Sequence, residues 1–217
     1  MIRHAFTCRL GGNLADYVGD DPEAVARNRA RLGVDPYRIA WMRQTHSTDI
    51  GRVDAPGPQV LDADGLVTAV PGQVLAVLVA DCVPVLLADA ASGVIAAVHA
   101  GRRGAQRGIV CNAVETMLEL GAQAQTMRAW LGPAAGGASY QVSEQLAAEV
   151  DATLPGARIG ERNLDLRAGI ARQLHTLGVS DVDVDKHDTI TSERYFSYRR
   201  SHTTGRQAGL IWIEEQP

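Results

Sequence analysis

Three apolar runs in the middle of the chain constrain the fold more than any other feature of the sequence. They cover residues 74–80, 84–88 and 94–98 and contain almost no polar side chains. Continuous apolar runs of this length are typical of β-strands covered on both faces, because a strand with one solvated face would alternate apolar and polar residues. The sequence therefore predicts strands that lie inside the protein rather than on its surface.

Weaker patterns predict further strands and helices on either side of these runs. Asp21 and Pro22 are typical of a helix start, and Gly33 is expected to stop that helix. Further strands are predicted near 2–8, 38–43, 48–54, 64–69, 127–131, 181–186, 194–199 and 208–214, and helices near 104–120, 143–152 and 163–177. Because strands and helices are interleaved without a regular βαβ rhythm, we predict an α+β fold of layered, mixed sheets rather than a doubly wound sheet.

Length and composition limit the class of protein. The 217 residues contain no repeat and no linker, so we expect one domain over residues 1–217. The formal net charge of -4 provides no broad basic field, so nucleic acid is not the expected partner. The sequence shows no secretory signal and no apolar run long enough to span a membrane. We expect a cytoplasmic protein that acts on a small molecule.

Three candidate metal ligands stand where predicted strands give way to loops: His46, Cys82 and His99. Two imidazoles and one thiolate are ligands that zinc accepts while keeping a fourth position for water or substrate, which is a catalytic arrangement. Neither a C-x2-C nor an H-x3-H pair occurs, so spacing alone is equally compatible with core or surface positions. Asp81, beside Cys82, is expected to be a hydrogen-bond partner of a ligating histidine.

Arginines near His99 and near the N-terminus indicate anion binding. Arg102 and Arg103 lie between two glycines at the start of a predicted helix, where guanidinium groups and free backbone N–H groups share one location. Arg9, before a pair of glycines, is a further candidate. The alternatives are solvated side chains at a helix start and a plain turn.

Motifs spread over nearly the whole chain carry a resemblance to a known family. They are Arg9-Leu10-Gly11-Gly12, Gly19-Asp20-Asp21, Asn28-Arg29, Gln44-Thr45-His46, Asp62-Ala63-Asp64-Gly65, Ala80-Asp81-Cys82-Val83-Pro84, His99-Ala100-Gly101-Arg102-Arg103-Gly104, Gly132-Pro133, Phe196-Ser197-Tyr198-Arg199-Arg200 and Thr204-Gly205-Arg206. With these motifs in this order, the chain resembles the YfiH-like laccase-domain family. Members of that family are described as multicopper polyphenol oxidases, purine nucleoside phosphorylases and a peptidoglycan editing factor.

The resemblance implies a fold, a ligand set and a substrate class. It implies an α/β/β/α layered sandwich, and it implies that the metal ligands are His46, Cys82 and His99. It further implies a purine nucleoside substrate and a pocket that contains Arg9. Further candidate substrate contacts are Gln44, Arg103 and Arg199.

The chain departs from the family pattern at two places. The family usually has Trp where this chain has Arg102, so the contact that an indole would make is absent. The family usually has Cys-Thr where this chain has Asp188-Thr189, which changes the pocket lining. The preceding His187 is an additional side chain that can approach the metal.

The leading hypothesis is a zinc-dependent purine nucleoside phosphorylase. Zinc held by His46, Cys82 and His99 would organise adenosine, inosine or methylthioadenosine while Arg9 or Arg103 holds inorganic phosphate, which attacks the sugar carbon. Hydroxide formed at the same metal could instead deaminate adenosine.

Three other functions remain open from the sequence. One is a metal-free hydrolase of an amino-acid amide, such as a peptidoglycan precursor, with Cys82 as nucleophile. A second is a nucleoside-binding or regulatory protein without turnover, which Arg102 favours. The third is a copper-dependent polyphenol oxidase, which is disfavoured because six scattered histidines are too few for a multicopper centre.

Overall fold

The three apolar runs form buried strands at the centre of the fold, as predicted. A computed structural model describes residues 1–214. In it the runs form β6 (Val74–Val79), β7 (Val83–Asp89) and β8 (Val94–Ala100), and every residue of these strands is buried. The strands are covered on both faces because they belong to two sheets that pack against each other and against outer layers.

The other strands and the helices have the following bounds. The strands are β1 (Ile2–Phe6), β2 (Ile39–Met42), β3 (Ile50–Arg52), β4 (Gln59–Leu61), β5 (Gly65–Thr68), β9 (Met127–Leu131), β10 (Arg158–Ile159), β11 (Asn163–Leu164), β12 (Asp181–Val184) and β13 (Gln207–Ile213). The helices are α1 (Pro22–Ala30), α2 (Arg102–Gln106), α3 (Ile109–Glu119), α4 (Glu144–Thr153) and α5 (Leu166–Thr176). None of the helices within residues 1–214 has both the length and the apolar character needed to span a lipid bilayer.

Both large sheets are mixed. The five-stranded sheet has the order β1-β13-β6-β2-β4, in which β2 is parallel to both of its neighbours and the other pairs are antiparallel. The six-stranded sheet has the order β12-β9-β7-β8-β5-β3, with parallel pairs at its two edges. The predicted α+β class with mixed sheets is confirmed.

Apolar side chains fill the space between the sheets and outside them. Leu75 and Val77 of one sheet meet Leu86 and Ile95 of the other in a buried cluster. The outer face of the six-stranded sheet packs on helices α3, α4 and α5. On the outer face of the five-stranded sheet, buried residues around Leu14 cover β2 and β6, and α1 reaches β2 through Arg29, whose guanidinium carbon lies 4.4 Å from the Trp41 ring centroid.

The first predicted helix forms where its capping pattern indicates. The Asp21 carboxylate accepts hydrogen bonds from the backbone N–H groups of Glu23 and Ala24, and Pro22 occupies the first turn. Because the first N–H groups of a helix have no intrahelical acceptor, this carboxylate satisfies two of them. The helix ends at Ala30, and Gly33, with a φ of 73°, lies in the turn beyond it.

Two predicted elements differ from the structure. The helix predicted over 104–120 is divided into α2 and α3 by Gly108, which adopts a left-handed φ of 85° that breaks the helical path. The strand predicted over 194–199 is absent from the described chain, which forms turns there. Side chains replace strand pairing in this segment: Gln207 accepts from the N–H and donates to the carbonyl of Phe196, and Arg200 donates to the carbonyl of Tyr195. The short strands β4, β10 and β11 were not predicted.

Candidate metal centre

The candidate ligands converge where the chain crosses between the two sheets. His46 lies on the crossing from β2 to β3, and Cys82 lies on the crossing from β6 to β7. Since β2 and β6 are parallel neighbours, both crossings begin at the same end of these strands. His99 lies near this end because it pairs with Pro84, close to the start of β7, in the antiparallel β7–β8 hairpin. We call His46, Cys82 and His99 the triad.

The triad brings three donor atoms into one small space. One ligand atom from each of His46, Cys82 and His99 lies within 4.8 Å of the other two. The Cys82 Sγ atom is 3.8 Å from His46 Nε2, and the two imidazole centroids are 4.7 Å apart. His99 is only 3% exposed, whereas His46 is open to solvent. The group can therefore bind a metal ion that a substrate reaches from outside.

Asp64 holds two parts of the triad in place. It is fully buried, and its carboxylate accepts a hydrogen bond from His99 Nδ1 at 2.7 Å. The same carboxylate accepts the backbone N–H groups of Thr45, His46 and Ser47 at 2.7 to 3.0 Å. Burial alone would raise the pKa of Asp64, but the hydrogen bonds from His99 and from the loop lower it far below its usual value. Because Nδ1 of His99 is engaged, its Nε2 is the nitrogen left for a metal.

The prediction that Asp81 assists a ligating histidine is wrong. Its carboxylate accepts hydrogen bonds from Thr189 Oγ1 and from the backbone N–H of Arg199 instead. Asp81 has a left-handed φ of 88°, and Asp64, in the bend before β5, takes the expected role. His46 also has a positive φ, of 61°, and its backbone is held by Asp64. Non-glycine residues with a positive φ are uncommon, and two of them close to one cluster of side chains are typical of a functional site.

Electrostatics favour a thiolate at Cys82. Burial raises the pKa of this thiol, but the charge on His99 and the hydrogen bond from His46 lower it to about 6. For His99, burial lowers the pKa, whereas the Cys82 thiolate and Asp64 raise it to about 9. The protein environment thus stabilises negative charge on sulfur, the form in which cysteine binds metals.

The triad opens into a cavity of about 330 Å³. We call it the triad cavity. Its lining includes Tyr17, Gln44, Leu78, Tyr198 and Arg206 in addition to the triad. A cavity of this size, with aromatic walls and a few polar groups, is suited to a small organic molecule.

Comparisons with known proteins connect this geometry to a family. A family profile described as multi-copper polyphenol oxidoreductase laccase matches residues 3–214. The chain belongs to this family. The predicted family membership is thereby confirmed.

Several relatives of this laccase-family chain resemble it over nearly their full length. It is 52% identical to a purine nucleoside phosphorylase of Mycobacterium tuberculosis, with 98% of this chain and 92% of the relative covered. It is 49% identical to a purine nucleoside phosphorylase of Corynebacterium glutamicum, with coverages of 99% and 96%. The crystal structure of YlmD from Geobacillus stearothermophilus matches with a TM-score of 0.89 at 29% identity, covering 99% of this chain and 92% of that one.

The other predicted substrate contacts of this laccase-family chain lie at different distances from the triad. Gln44 lines the triad cavity, but its side-chain amide is paired with the backbone of Leu78 through two hydrogen bonds. Arg199 lines a second cavity that shares Cys82 with the first. Arg9 and Arg103 are exposed, and neither lines these two cavities.

Two further arginines line the cavities. Arg206, which was not among the predicted site residues, lies in the triad cavity, and Arg102, predicted with Arg103 as an anion contact, lies in the second cavity. Arg206 belongs to a family motif, so the motif was the available signal for it.

His187 pairs with Asp185 at 2.7 Å and is not part of the triad. Asp188 accepts hydrogen bonds from Ser139 and from the backbone of Gly136, and thus joins two loops.

Gly101 leaves room for the triad, so its replacement by alanine is expected to disturb metal binding. A Cβ atom at this position would lie 2.6 Å from His46 Cδ2 and 3.1 Å from Cys82 Sγ. The φ of Gly101 is -70°, so alanine introduces no backbone strain. We expect Gly101→Ala to weaken metal binding by about tenfold or more while the fold is kept. Competition with a chelator measures this affinity.

Gly11→Ala is the matched control for this variant. Among residues 1–214, no atom lies within 4 Å of the added methyl group at Gly11, and this position has no left-handed φ. An unchanged metal affinity in Gly101→Ala would contradict the arrangement of His46 and Cys82 around a metal ion.

Proposed function

We propose that the chain is a zinc-dependent purine nucleoside phosphorylase that converts adenosine, inosine or methylthioadenosine to free base and sugar 1-phosphate. The observation that carries the proposal is the convergence of His46, Cys82 and His99 at a nucleoside-sized cavity. The names of the relatives at about half sequence identity support the choice of reaction.

The donor set fits zinc. Zinc accepts two imidazoles and a thiolate in catalytic sites, and its usual bond lengths place sulfur and nitrogen ligands about 3.6 Å apart. The 3.8 Å between Cys82 Sγ and His46 Nε2 is close to that separation. When bound, zinc supplies a Lewis acid that polarises substrate oxygen or nitrogen atoms.

A multicopper centre fits less well. Within residues 1–214, the triad is the only group of three or more His, Cys, Asp or Glu side chains close enough to share a metal ion. A multicopper centre requires more clustered histidines than this. We therefore infer that a single ion binds here, despite the description of the family.

The protein side chains have defined tasks in phosphorolysis. A phosphate oxygen forms a bond to C1′ of the sugar, the N-glycosidic bond breaks, and its electron pair goes to the departing purine. The cavity must therefore supply a proton or positive charge near the base. The Arg206 guanidinium and the Tyr17 hydroxyl line the cavity and are available donors. The rings of Tyr17 and Tyr198 provide apolar surface for a purine.

One geometric feature favours a second candidate function. A thiol beside two imidazoles, one of which is oriented by a buried carboxylate, is also the arrangement of a Cys–His hydrolase. In that case Cys82 would attack an amino-acid amide, and a chelator would leave the activity intact. Metal removal therefore separates the two candidates.

The proposed reaction requires inorganic phosphate as a substrate, which can be tested directly. We expect purified protein to convert inosine to hypoxanthine and ribose 1-phosphate only when phosphate is present, because phosphate is the nucleophile. Chromatography of the base and enzymatic detection of the sugar phosphate measure the two products. Formation of hypoxanthine and free ribose at the same rate without phosphate would contradict phosphorolysis, and adenosine converted to inosine would identify deamination.

A further inference from the structure

A second cavity, of about 270 Å³, adjoins the triad cavity. The two cavities share Ala80, Cys82 and Tyr198. We call the second one the arginine cavity, because Arg102 and Arg199 both line it. A ligand bound there lies next to a ligand bound at the triad.

The guanidinium groups of the arginine cavity retain free donors. Arg102 Nη1 donates to Gln106 Oε1 at 2.8 Å, and Arg199 Nη2 donates to the backbone carbonyl of Gln141 at 2.6 Å. Each guanidinium has five N–H donors, so these contacts use only part of its capacity. Within the described residues, neither arginine forms an ion pair with a carboxylate.

The acidic residue of this cavity, Asp81, forms no ion pair with either arginine in the part of the chain that the structure describes. Its Oδ1 accepts the Thr189 hydroxyl at 2.6 Å, and its Oδ2 accepts the backbone N–H of Arg199 at 2.7 Å. The Asp81 carboxylate keeps its negative charge, but the two guanidinium groups outweigh it. The lining of the cavity is therefore net positive.

Tyr140 also lines this cavity and interacts with both arginines. The Arg199 guanidinium carbon lies 5.1 Å from the Tyr140 ring centroid, a distance at which a cation and an aromatic face attract each other. Burial raises the pKa of the Tyr140 hydroxyl, although the charges of Arg102 and Arg199 oppose this. The hydroxyl therefore remains protonated at neutral pH and can donate a hydrogen bond.

We propose that Arg102 and Arg199 bind a phosphate-type dianion in the arginine cavity, beside Cys82. The guanidinium fork matches the oxygen spacing of a phosphate group, and two such groups offer it several charge-assisted hydrogen bonds. This inference deepens the proposed function and in part rests on it, because phosphorolysis needs a phosphate site next to the nucleoside. The dianion is inorganic phosphate or the 5′-phosphate of a nucleotide.

Titration with inorganic phosphate tests the site without any turnover. We expect saturable binding, followed by calorimetry or by ³¹P line width, and a loss of at least about tenfold in affinity for Arg102→Gln, the order expected when a charge-assisted hydrogen bond is removed. Arg102→Lys is expected to restore part of the affinity. Arg107→Gln is the matched control, because Arg107 is exposed near the end of α2 and lines neither cavity. Phosphate affinity unchanged in both Arg102→Gln and Arg199→Gln would overturn the proposal.

Kinetics separate failure of the site from failure of the proposed function. If both hold, Arg102→Gln raises the KM for phosphate and leaves the KM for inosine unchanged. Phosphate binding that depends on Arg102, in a protein that splits no nucleoside, would support the site and contradict the function. Phosphorolysis with an unaltered phosphate KM in Arg102→Gln would support the function and contradict the site. Inosine monophosphate that competes with phosphate and binds more tightly than inosine would support the site and assign it to a nucleotide.

Discussion

Cys82→Ser is expected to abolish stoichiometric zinc binding and to lower nucleoside turnover by about 10²–10³-fold, the range found when a charge-stabilising group is lost at a reaction centre. Serine keeps the shape of the side chain but its hydroxyl does not ionise near neutral pH, so the thiolate ligand is lost. Elemental analysis gives the zinc content per chain, and the phosphate-dependent inosine assay gives the turnover.

Two comparisons make the Cys82 experiment specific. Cys111→Ser is the control, because Cys111 is a free cysteine in α3 and is not part of the triad. Cys82→Asp offers zinc a different anionic ligand and is expected to keep part of the metal and part of the turnover. Full zinc occupancy in Cys82→Ser would show that the metal is held elsewhere. Complete inactivity of Cys82→Asp at full occupancy would favour a nucleophilic role for the thiol.

Asp64→Asn is expected to weaken zinc binding by about 10- to 100-fold, the range observed when the hydrogen-bond partner of a ligating histidine is changed. An amide has one acceptor oxygen where the carboxylate has two, and its NH₂ group would face backbone N–H donors of the loop. Partly buried donors of the loop at 45–47 then lose their acceptors, at a cost of about 1–3 kcal/mol of the free energy of unfolding. Chelator competition and urea denaturation measure the two effects.

Asp62→Asn provides the matched control for this variant. Asp62 lies two residues away, and its side chain is 78% exposed and pairs with the surface residue Arg43. Exposed pairs of this kind contribute little to stability, so the control is expected to resemble the native protein in both measurements. Equal zinc affinity in Asp64→Asn and Asp62→Asn would refute the role assigned to Asp64.

The centre of the fold could be predicted because local patterns there agree with the tertiary structure. The apolar runs of β6, β7 and β8 have no solvated face, and uninterrupted apolar sequence is the direct consequence of that burial. The alternating pattern at 194–199 was misleading. There the side chains of Gln207 and Arg200, rather than a neighbouring strand, hydrogen-bond the backbone of Tyr195 and Phe196.

The residues around the triad were harder to predict because they depend on contacts far apart in sequence. Asp64 meets His99 only because β5 pairs with β8, and the sequence contains no local signal for that pairing. Asp81 was predicted to be the hydrogen-bond partner of a ligating histidine because it is next to Cys82 in the sequence. Its backbone is left-handed, and its carboxylate accepts the Thr189 hydroxyl instead. In the same way, Arg102 rather than Arg103 lines a cavity, and which of two adjacent arginines does so depends on how α2 packs.

Zinc titration of chelator-treated protein, with phosphate-dependent inosine cleavage as the readout, bears most directly on the role of the triad. We expect no turnover in the metal-free protein and a linear recovery that stops at one zinc ion per chain. Turnover that survives complete removal of the metal, or that fails to follow zinc occupancy, would contradict a function centred on His46, Cys82 and His99.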